Sequence, residues 1–300
     1  MSYHIGIDLG GSSVKAVALS DRGCRLTERN VDFDAAESMQ WADCVAGIIR
    51  DVESEQGRPA EALGLSAPGL AARDGRSIAC MPGRLEGLVG LDWTDFLQRA
   101  QPVPVLNDGH AAVLGEAWLG AGKGCRDVFM LTLGTGVGGA AMVGGTLLVG
   151  STGKAGHLGH ISLNPGGAPD ICGTPGSLED AIGNCTVRER TNGRFTSTHE
   201  LVSAYRAGDA EAGTVWLRSV RALAAAIAGL DNVLNPELVI VGGGIARSGD
   251  ALFAPLVDQF EKMSWVPIGE RARIVAAELG EFAGACGAVS RAIEGAIVSG

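Results

Sequence analysis

Two glycine-rich turns with hydroxyl side chains are the first candidates for chemistry in this chain. They occupy residues 8–13 (DLGGSS) and 133–139 (LGTGVGG). Glycine lets the backbone approach an anion, and the N–H groups and hydroxyls of such turns can bond phosphate oxygens. Asp8 ends the first strand and can hold Mg²⁺ through water. The alternative is an ordinary glycine hairpin with an aspartate capping a turn. Because strand–turn–strand occurs twice, paired phosphate loops are favoured.

A third glycine-rich turn follows a buried apolar strand at residues 239–244 (VIVGGG). An amphipathic helix comes after it, so its glycines can lie at a helix N-terminus beside a nucleotide. The turn lacks G-x-G-x-x-G spacing, and no G-K-S/T follows it. Both a dinucleotide-binding dehydrogenase and a Walker-type ATPase are therefore disfavoured.

Asp108 lies in the motif NDGH, between a predicted strand and a predicted helix. The functional interpretation is a general base that takes a proton from a substrate hydroxyl. The structural alternative is a helix N-cap, which contributes about 1 kcal/mol to helix stability. Taken alone, the motif favours the cap.

Residues 155–180 (AGHLGHISLNPGGAPDICGTPGSLED) combine two histidines three apart with one cysteine. Glycine and proline turns separate these side chains. Zinc sites normally use four ligands drawn from cysteine, histidine and carboxylate. The stretch therefore resembles a metal site that lacks some of its ligands.

The elements that must position these groups alternate along the chain, which predicts α/β architecture with buried sheets. The predicted strands are residues 5–8, 14–19, 62–66, 103–106, 128–133, 139–143 and 238–241. The predicted helices are residues 38–53, 111–118, 211–234 and 249–263.

Composition narrows the class of partner. The chain has 300 residues, enough for two domains, and 24 basic against 34 acidic side chains give a net charge of −10. This balance argues against nucleic acid or an anionic membrane as partner. The seven cysteines form no C-x-x-C pair, no apolar run reaches membrane-spanning length, and no leader peptide is expected at MSYHIGIDLGG. We expect a cytoplasmic protein without a disulfide framework.

Five motifs occur in the order and rough spacing of the ROK family: DLGGSSVK, NDGH, LGTGVGG, AGHLGH with CGTPGSLE, and NPELVIVGGG. The chain resembles the sugar kinases of that family over nearly its whole length. The resemblance implies a two-domain actin-like, ribonuclease H-like (hexokinase-like) ATPase fold with a cleft between the domains. It predicts a small α/β domain at residues 1–107 with a C-terminal helix at 288–300, a large α/β domain at 108–287, and a homodimer.

The implied activity is ATP-dependent phosphorylation of the primary (6-) hydroxyl of a hexose or N-acetylhexosamine. The resemblance makes Asp108 the general base and Asp8 the residue near Mg²⁺, through water. The implied sugar-binding residues are Asn107, His157, His160 and Glu179. The implied ATP-binding residues are Asp8, Gly10, Gly11, Ser12, Gly134, Thr135, Gly136, Gly243 and Gly244.

The zinc module of the family, one histidine and three cysteines, is altered in this chain. The corresponding residues are His160, Asp170, Cys172 and Ser177, so two of the three thiolates are replaced. Serine is a poor zinc ligand. We expect no structural zinc and a loop shaped by its turns and local packing, while weak metal binding by the remnant His160, Asp170 and Cys172 stays open.

Three further departures concern the substrate. His157 replaces the glutamate of most family members, and the same A-G-H-x-G-H form occurs in some of the family's bacterial N-acetylmannosamine kinases. An imidazole in place of a carboxylate changes which sugar substituents are tolerated, unless the histidine only packs or the copy is non-catalytic. Arg84 either reaches a polar group of the substrate or is solvated, and His110 is expected to be a spectator.

The alternative function is a non-catalytic sugar-binding or regulatory ROK protein. Regulators of the family carry a DNA-binding segment before the first phosphate loop. Here that loop begins at Asp8 and the chain is acidic, so we expect a kinase. ATP consumption that depends on added sugar separates these functions.

Overall fold

The computed structural model describes residues 2–34, 37–81, 83 and 85–299. The chain divides into two compact units. Unit 1 comprises Met1–Gly124, Val149–Ala155 and Glu278–Gly300, and unit 2 comprises Cys125–Leu148 and Gly156–Ala277. Arg84 lies outside the described residues, so both interpretations of it, a substrate contact and a solvated side chain, stay open. Among the described residues, no helix combines the length and apolar character that a membrane span requires.

The strands, in chain order, are β1 (Tyr3–Leu9), β2 (Ser13–Ser20), β3 (Arg25–Asp32), β4 (Ala62–Ala67), β5 (Leu70–Ala71), β6 (Ile78–Cys80), β7 (Val105–Asn107), β8 (Val128–Leu133), β9 (Val137–Val143), β10 (Thr146–Leu147), β11 (Leu238–Gly242) and β12 (Arg273–Ala276). The helices are α1 (Gln40–Gln56), α2 (Trp93–Phe96), α3 (Asp108–Leu119), α4 (Leu178–Ile182), α5 (Val187–Arg190), α6 (Thr198–Arg206), α7 (Ala210–Leu234), α8 (Asp250–Met263) and α9 (Ala283–Ser299). Short 3₁₀ turns lie at Leu158–His160, Asn184–Thr186, Ile245–Ser248 and Gly280–Phe282.

Each unit is built on a five-stranded sheet, and the two sheets have the same topology. The order is β3-β2-β1-β4-β7 in unit 1 and β10-β9-β8-β11-β12 in unit 2. In each sheet, neighbouring strands among the first three of this order are antiparallel. The last two run parallel to the central strand, which is β1 in unit 1 and β8 in unit 2. The repeated strand–turn–strand pattern in the sequence therefore belongs to a repeat of the whole sheet, and the predicted α/β class is confirmed.

Apolar periodicity explains how the helices cover these sheets. In unit 1, α1 buries Trp41, Val45, Ile48 and Ile49, spaced as one helical face. Trp41 meets Trp93 edge to face, with ring centroids 5.8 Å apart. In unit 2, the long helix α7 contacts α4, α6 and α8 and buries an apolar face in the same core cluster as side chains of β8 and β11. Each fully buried large side chain contributes about 1.5–3 kcal/mol to folding.

Helix α9 packs at unusually short range against its neighbours in unit 1. A Cβ at Gly287 would lie 1.7 Å from the carbonyl oxygen of Ala111 in α3. A Cβ at Gly64 in β4 would lie 2.0 Å from the carbonyl oxygen of Ala288. Only glycine permits such backbone contact. Helix α3 thus lies in unit 1, whereas the predicted large domain begins at residue 108. The C-terminal helix begins at Ala283, earlier than the predicted residue 288.

The end of α3 is tied to the start of α9 by a buried carboxylate. Glu116 is fully buried, and its two oxygens accept hydrogen bonds from the N–H groups of Ala121 (2.9 Å), Leu279 (2.8 Å) and Glu278 (3.2 Å). Buried charge is tolerated only when it is bonded in this way. Glu116 therefore fixes the approach of two segments far apart in sequence.

Candidate active site

The carboxyl ends of the parallel strands in unit 1 bring polar side chains to one edge of the sheet. Asp8 in β1 is paired in register with Ser66 in β4, and Ala67 with Asn107 in β7. The hydroxyl of Ser66 donates to Oδ1 of Asp8 at 2.7 Å. Ligands of open α/β sheets bind at this type of edge.

The carboxylate of Asp8 is held in a poorly solvated environment. Burial raises its pKa to about 6; the Ser66 hydroxyl opposes the rise, the charge of Asp108 adds to it, and Lys15 opposes it. Helix α9 passes directly over the group, since a Cβ at Gly284 would lie 2.7 Å from Asp8 Oδ1. A cation would restore the ionised form. The donor chemistry of Asp8 is compatible with a magnesium ion held through water, and this role of Asp8 stays a prediction.

Lys15 is a candidate site residue that the sequence analysis missed. It lies opposite Asp8 in the β1–β2 pair, and its ammonium group donates to Ser13 Oγ at 3.3 Å. Directly paired residues of an antiparallel ladder point to the same face. The signal was available in DLGGSSVK once the hairpin register is drawn. Lys15 adds a positive charge beside the exposed turn at Gly11 and Ser12.

Asn107, and not Asp108, caps helix α3. Its Oδ1 accepts from the N–H groups of Gly109 (2.9 Å) and His110 (3.3 Å), and its Nδ2 donates to the carbonyl of Gly69 (2.8 Å). The cap interpretation of Asp108 is therefore wrong. Asp108 is the first residue of the helix, exposed, with Oδ1 accepting from Gly109 N at 2.7 Å. The predicted sugar contact of Asn107 stays a prediction, and it would have to use its second amide proton.

His110 is buried and anchors the segment Val149–Ala155 to unit 1. Its Nε2 lies 2.7 Å from the carbonyl oxygen of Ala155. Burial lowers its pKa, against the opposing effects of that carbonyl and of Asp108. A neutral ring must donate through Nε2–H to a carbonyl, which can only accept. His110 thus has a structural contact where the sequence analysis expected a spectator.

In unit 2, helix α4 supports the second glycine turn. Glu179 Oε2 accepts from the N–H of Val137 at 2.9 Å, and a Cβ at Gly136 would lie 2.2 Å from the same oxygen. The carbonyls of the two residues before Gly136 accept from the N–H groups of Asn184 (3.0 Å) and Cys185 (2.8 Å). The turn at Gly134, Thr135 and Gly136 is therefore fixed by its neighbours.

The third glycine turn lies against the second. Gly243 has φ +86°, and a Cβ there would lie 2.3 Å from the carbonyl oxygen of Leu133. Strands β8 and β11 are parallel neighbours, so both turns leave the same edge of the sheet. Gly244 follows, before the 3₁₀ turn. Backbone groups at this edge can approach a ligand closely.

The two histidines of the A-G-H-x-G-H stretch bracket a 3₁₀ turn in unit 2. His157 is its N-cap residue and His160 its last residue, and both are half-buried. Nδ1 of His160 lies 2.7 Å from Oδ2 of Asp170, and Nε2 lies 3.4 Å from Sγ of Cys172. The three predicted remnant ligands are thus brought together within 4.8 Å.

These groups do not fit a four-coordinate structural zinc. Burial disfavours the charge of Asp170, but hydrogen bonds from His160, Thr174, Ser177 and Cys172 outweigh it and lower its pKa to about 2. Both carboxylate oxygens of Asp170 accept hydrogen bonds, and Ser177 Oγ caps α4. Within the described cluster, His160, Asp170 and Cys172 offer three donor atoms at most, whereas structural zinc takes four.

Comparison with known proteins decides the family. The ROK family profile matches residues 4–294. The chain belongs to the ROK family. Glucokinase of Thermotoga maritima is 33% identical over 306 residues, covering 95% of this chain and 96% of that protein. Kinases of kanosamine and of N-acetylmannosamine are also among the relatives of this ROK protein.

Solved structures confirm the fold. The ROK hexokinase of Thermus thermophilus matches with a TM-score of 0.88 and 30% identity over 99% of this chain and 100% of that one. A ROK glucokinase of Streptomyces griseus, solved with glucose and AMPPNP, matches with a TM-score of 0.78 and 27% identity over 98% and 100%. The ROK protein has the actin-like ATPase fold of ROK sugar kinases, and its relatives support sugar kinase activity.

Proposed function

We propose that this ROK protein transfers the γ-phosphoryl group of ATP to the primary hydroxyl of a hexose or N-acetylhexosamine, with Asp108 as general base. The observation that carries the proposal is that Asn107 and Asp108 have different positions at the start of α3. Asn107 is the N-cap residue and accepts from the N–H groups of the first turn, while Asp108, the first residue of the helix, is exposed beside it. An exposed carboxylate at a helix N-terminus is also electrostatically favoured there.

The chemistry asks for alignment and charge stabilisation more than for covalent intermediates. The Asp108 carboxylate accepts the proton of the sugar hydroxyl as that oxygen bonds to the γ-phosphorus. The bond from the γ-phosphorus to the bridging oxygen breaks, and ADP leaves with the electron pair. The general-base term is worth about 10²–10⁴ in rate.

The glycine turns supply phosphate contacts in each unit. In unit 1, the turn at Gly10, Gly11 and Ser12, with the last two residues exposed, is followed by Ser13, to which the ammonium group of Lys15 donates. In unit 2, the turn at Gly134–Gly136 is fixed by Glu179 and lies against Gly243. Mg²⁺, which Asp8 would hold through water, supplies positive charge at the phosphates. Preorganised donors of this kind stabilise the charge that develops in the transition state.

The sugar contacts are proposed for His160, Glu179 and His157. Their segments are adjacent, since the N–H of Leu178 donates to the carbonyl of Ile161 at 3.0 Å. Relatives that are glucokinases and N-acetylmannosamine kinases support the sugar class without separating its members. The imidazole of His157 is the group expected to discriminate between them.

The test is a coupled ATP assay with a panel of hexoses and N-acetylhexosamines. We expect ADP release that depends on one sugar, with phosphate found on its 6-oxygen by NMR. The control is the same protein with the 6-deoxy form of that sugar, which has no acceptor hydroxyl. Sugar binding without ADP release would instead support the non-catalytic regulatory alternative.

A further inference from the structure

His160 is held by a carboxylate that has no exposure of its own. The side chain of Asp170 is 0% exposed, whereas that of His160 is 22% exposed, and Nδ1 and Oδ2 are 2.7 Å apart. Asp170 Oδ1 accepts from the N–H groups of Cys172 and Thr174, both at 2.9 Å. The carboxylate is thus fixed from one side by the backbone and presents its other oxygen to the imidazole.

We propose that Asp170 is a positioning residue that keeps the proton of His160 on Nδ1, so that Nε2 accepts a hydrogen bond from a sugar hydroxyl. The hydrogen bond from a sugar hydroxyl to Nε2 rests on the proposed function. An ionised carboxylate can only accept hydrogen bonds, so the ring nitrogen that faces it must donate. The neutral ring then has a lone pair on Nε2. Carboxylates that orient a functional histidine in this way act through its tautomer.

The surroundings of Nε2 agree with this role. Sγ of Cys172 lies 3.4 Å from it, and Cys172 is exposed. A thiol is a weak donor, and a sugar hydroxyl is a stronger one. A hydroxyl can therefore take over the lone pair of Nε2 when the sugar binds.

The decisive variant is Asp170→Asn. Two backbone N–H groups converge on Oδ1, so the asparagine oxygen stays there and its NH₂ faces Nδ1 of His160. The amide then donates where the carboxylate accepted, and the tautomer reverses. We expect KM for glucose, or for N-acetylmannosamine if glucose is not phosphorylated, to rise about 10–100-fold, while KM for ATP and kcat stay within about twofold.

The matched control is Asp180→Asn, which removes one negative charge close to His160 without removing its hydrogen bond. It should leave KM for the sugar within about twofold. An equal rise in both variants would overturn the proposal, since the effect would then be one of charge. So would a loss of kcat in Asp170→Asn with KM for the sugar unchanged.

A double-mutant cycle separates positioning from a purely structural role. If Asp170 acts through the imidazole, Asp170→Asn should add less than about twofold to the KM of His160→Ala. Multiplication of the two single effects would contradict the proposal, because Asp170 would then act on the loop independently of the ring.

The tautomer can be read without any activity. In ¹⁵N-histidine-labelled protein at about pH 8, His160 should show protonated Nδ1 in the wild type and protonated Nε2 in Asp170→Asn. A wild-type Nε2–H tautomer would overturn the proposal. If no sugar elicits ATP consumption, the proposed function fails, and the NMR result still decides the role of Asp170.

Discussion

Replacing Asp8 by asparagine tests the electrostatic account of the phosphate turn in unit 1. Asparagine keeps an oxygen for the Ser66 hydroxyl and the same shape beneath Gly284. The pKa of Asp8 is raised from 3.8 to about 6, chiefly by burial. A raised carboxyl pKa stabilises the fold only while the group is protonated, so this contribution is lost as pH rises through about 6. A rise in pKa of this size corresponds to about 3 kcal/mol.

About 2 kcal/mol of that loss falls between about pH 4.5 and pH 8, because the unfolded chain is already mostly ionised at the lower value. The assay is urea unfolding of wild type and Asp8→Asn at both pH values without Mg²⁺. The free energy of unfolding of the variant, relative to wild type, should rise by about 2 kcal/mol at the higher pH. Asp51→Asn, an exposed aspartate in α1, should show no such rise. A difference for Asp8→Asn that does not change with pH would refute the reasoning.

The remaining predictions concern stability, metal and substrate. Glu116→Ala should lower the free energy of unfolding by about 2–4 kcal/mol, because three N–H groups lose the buried carboxylate that accepts from them; a loss below about 0.5 kcal/mol in urea unfolding would contradict this. Purified, untagged protein should contain less than about 0.1 zinc per chain and keep its melting temperature in EDTA, and stoichiometric zinc by elemental analysis would show that Cys172 and His160 find further ligands. His157→Glu should reorder kcat/KM across the sugar panel, and an unchanged order would make His157 a bystander.

The local motifs could be predicted from the sequence because their chemistry is local. A glycine run at the end of a strand forms a turn with accessible backbone N–H groups whatever the rest of the chain does. The two strand–turn–strand patterns indicated a repeated unit, and the structure shows that the repeat is a whole sheet. Asp108 was ambiguous for a physical reason. Whether residue 107 or 108 caps α3 depends on which one takes extended dihedral angles, and Asn107 does, with φ −65° and ψ 148°.

The rest depends on which segments pair and in which register. Strand β3 is polar and at an edge, so its sequence RLTERNVD carries no burial signal. Lys15 becomes a site candidate only through its register with Asp8. Glu116 accepts hydrogen bonds from N–H groups more than 160 residues away, and the residues next to it in the sequence do not indicate these partners. The extra length of α9, from Ala283, likewise follows from its packing on α3.

The most direct test of the central claim is Asp108→Asn, measured by sugar binding and by phosphoryl transfer on the same preparation. Asparagine keeps the side-chain oxygen that accepts from Gly109 but cannot take a proton. We predict a sugar Kd within about threefold of wild type by calorimetry and a rate of transfer at least about 10²-fold lower in single-turnover quench. Equal loss of binding and rate, or a rate within about fivefold of wild type, would contradict the role of Asp108 as general base.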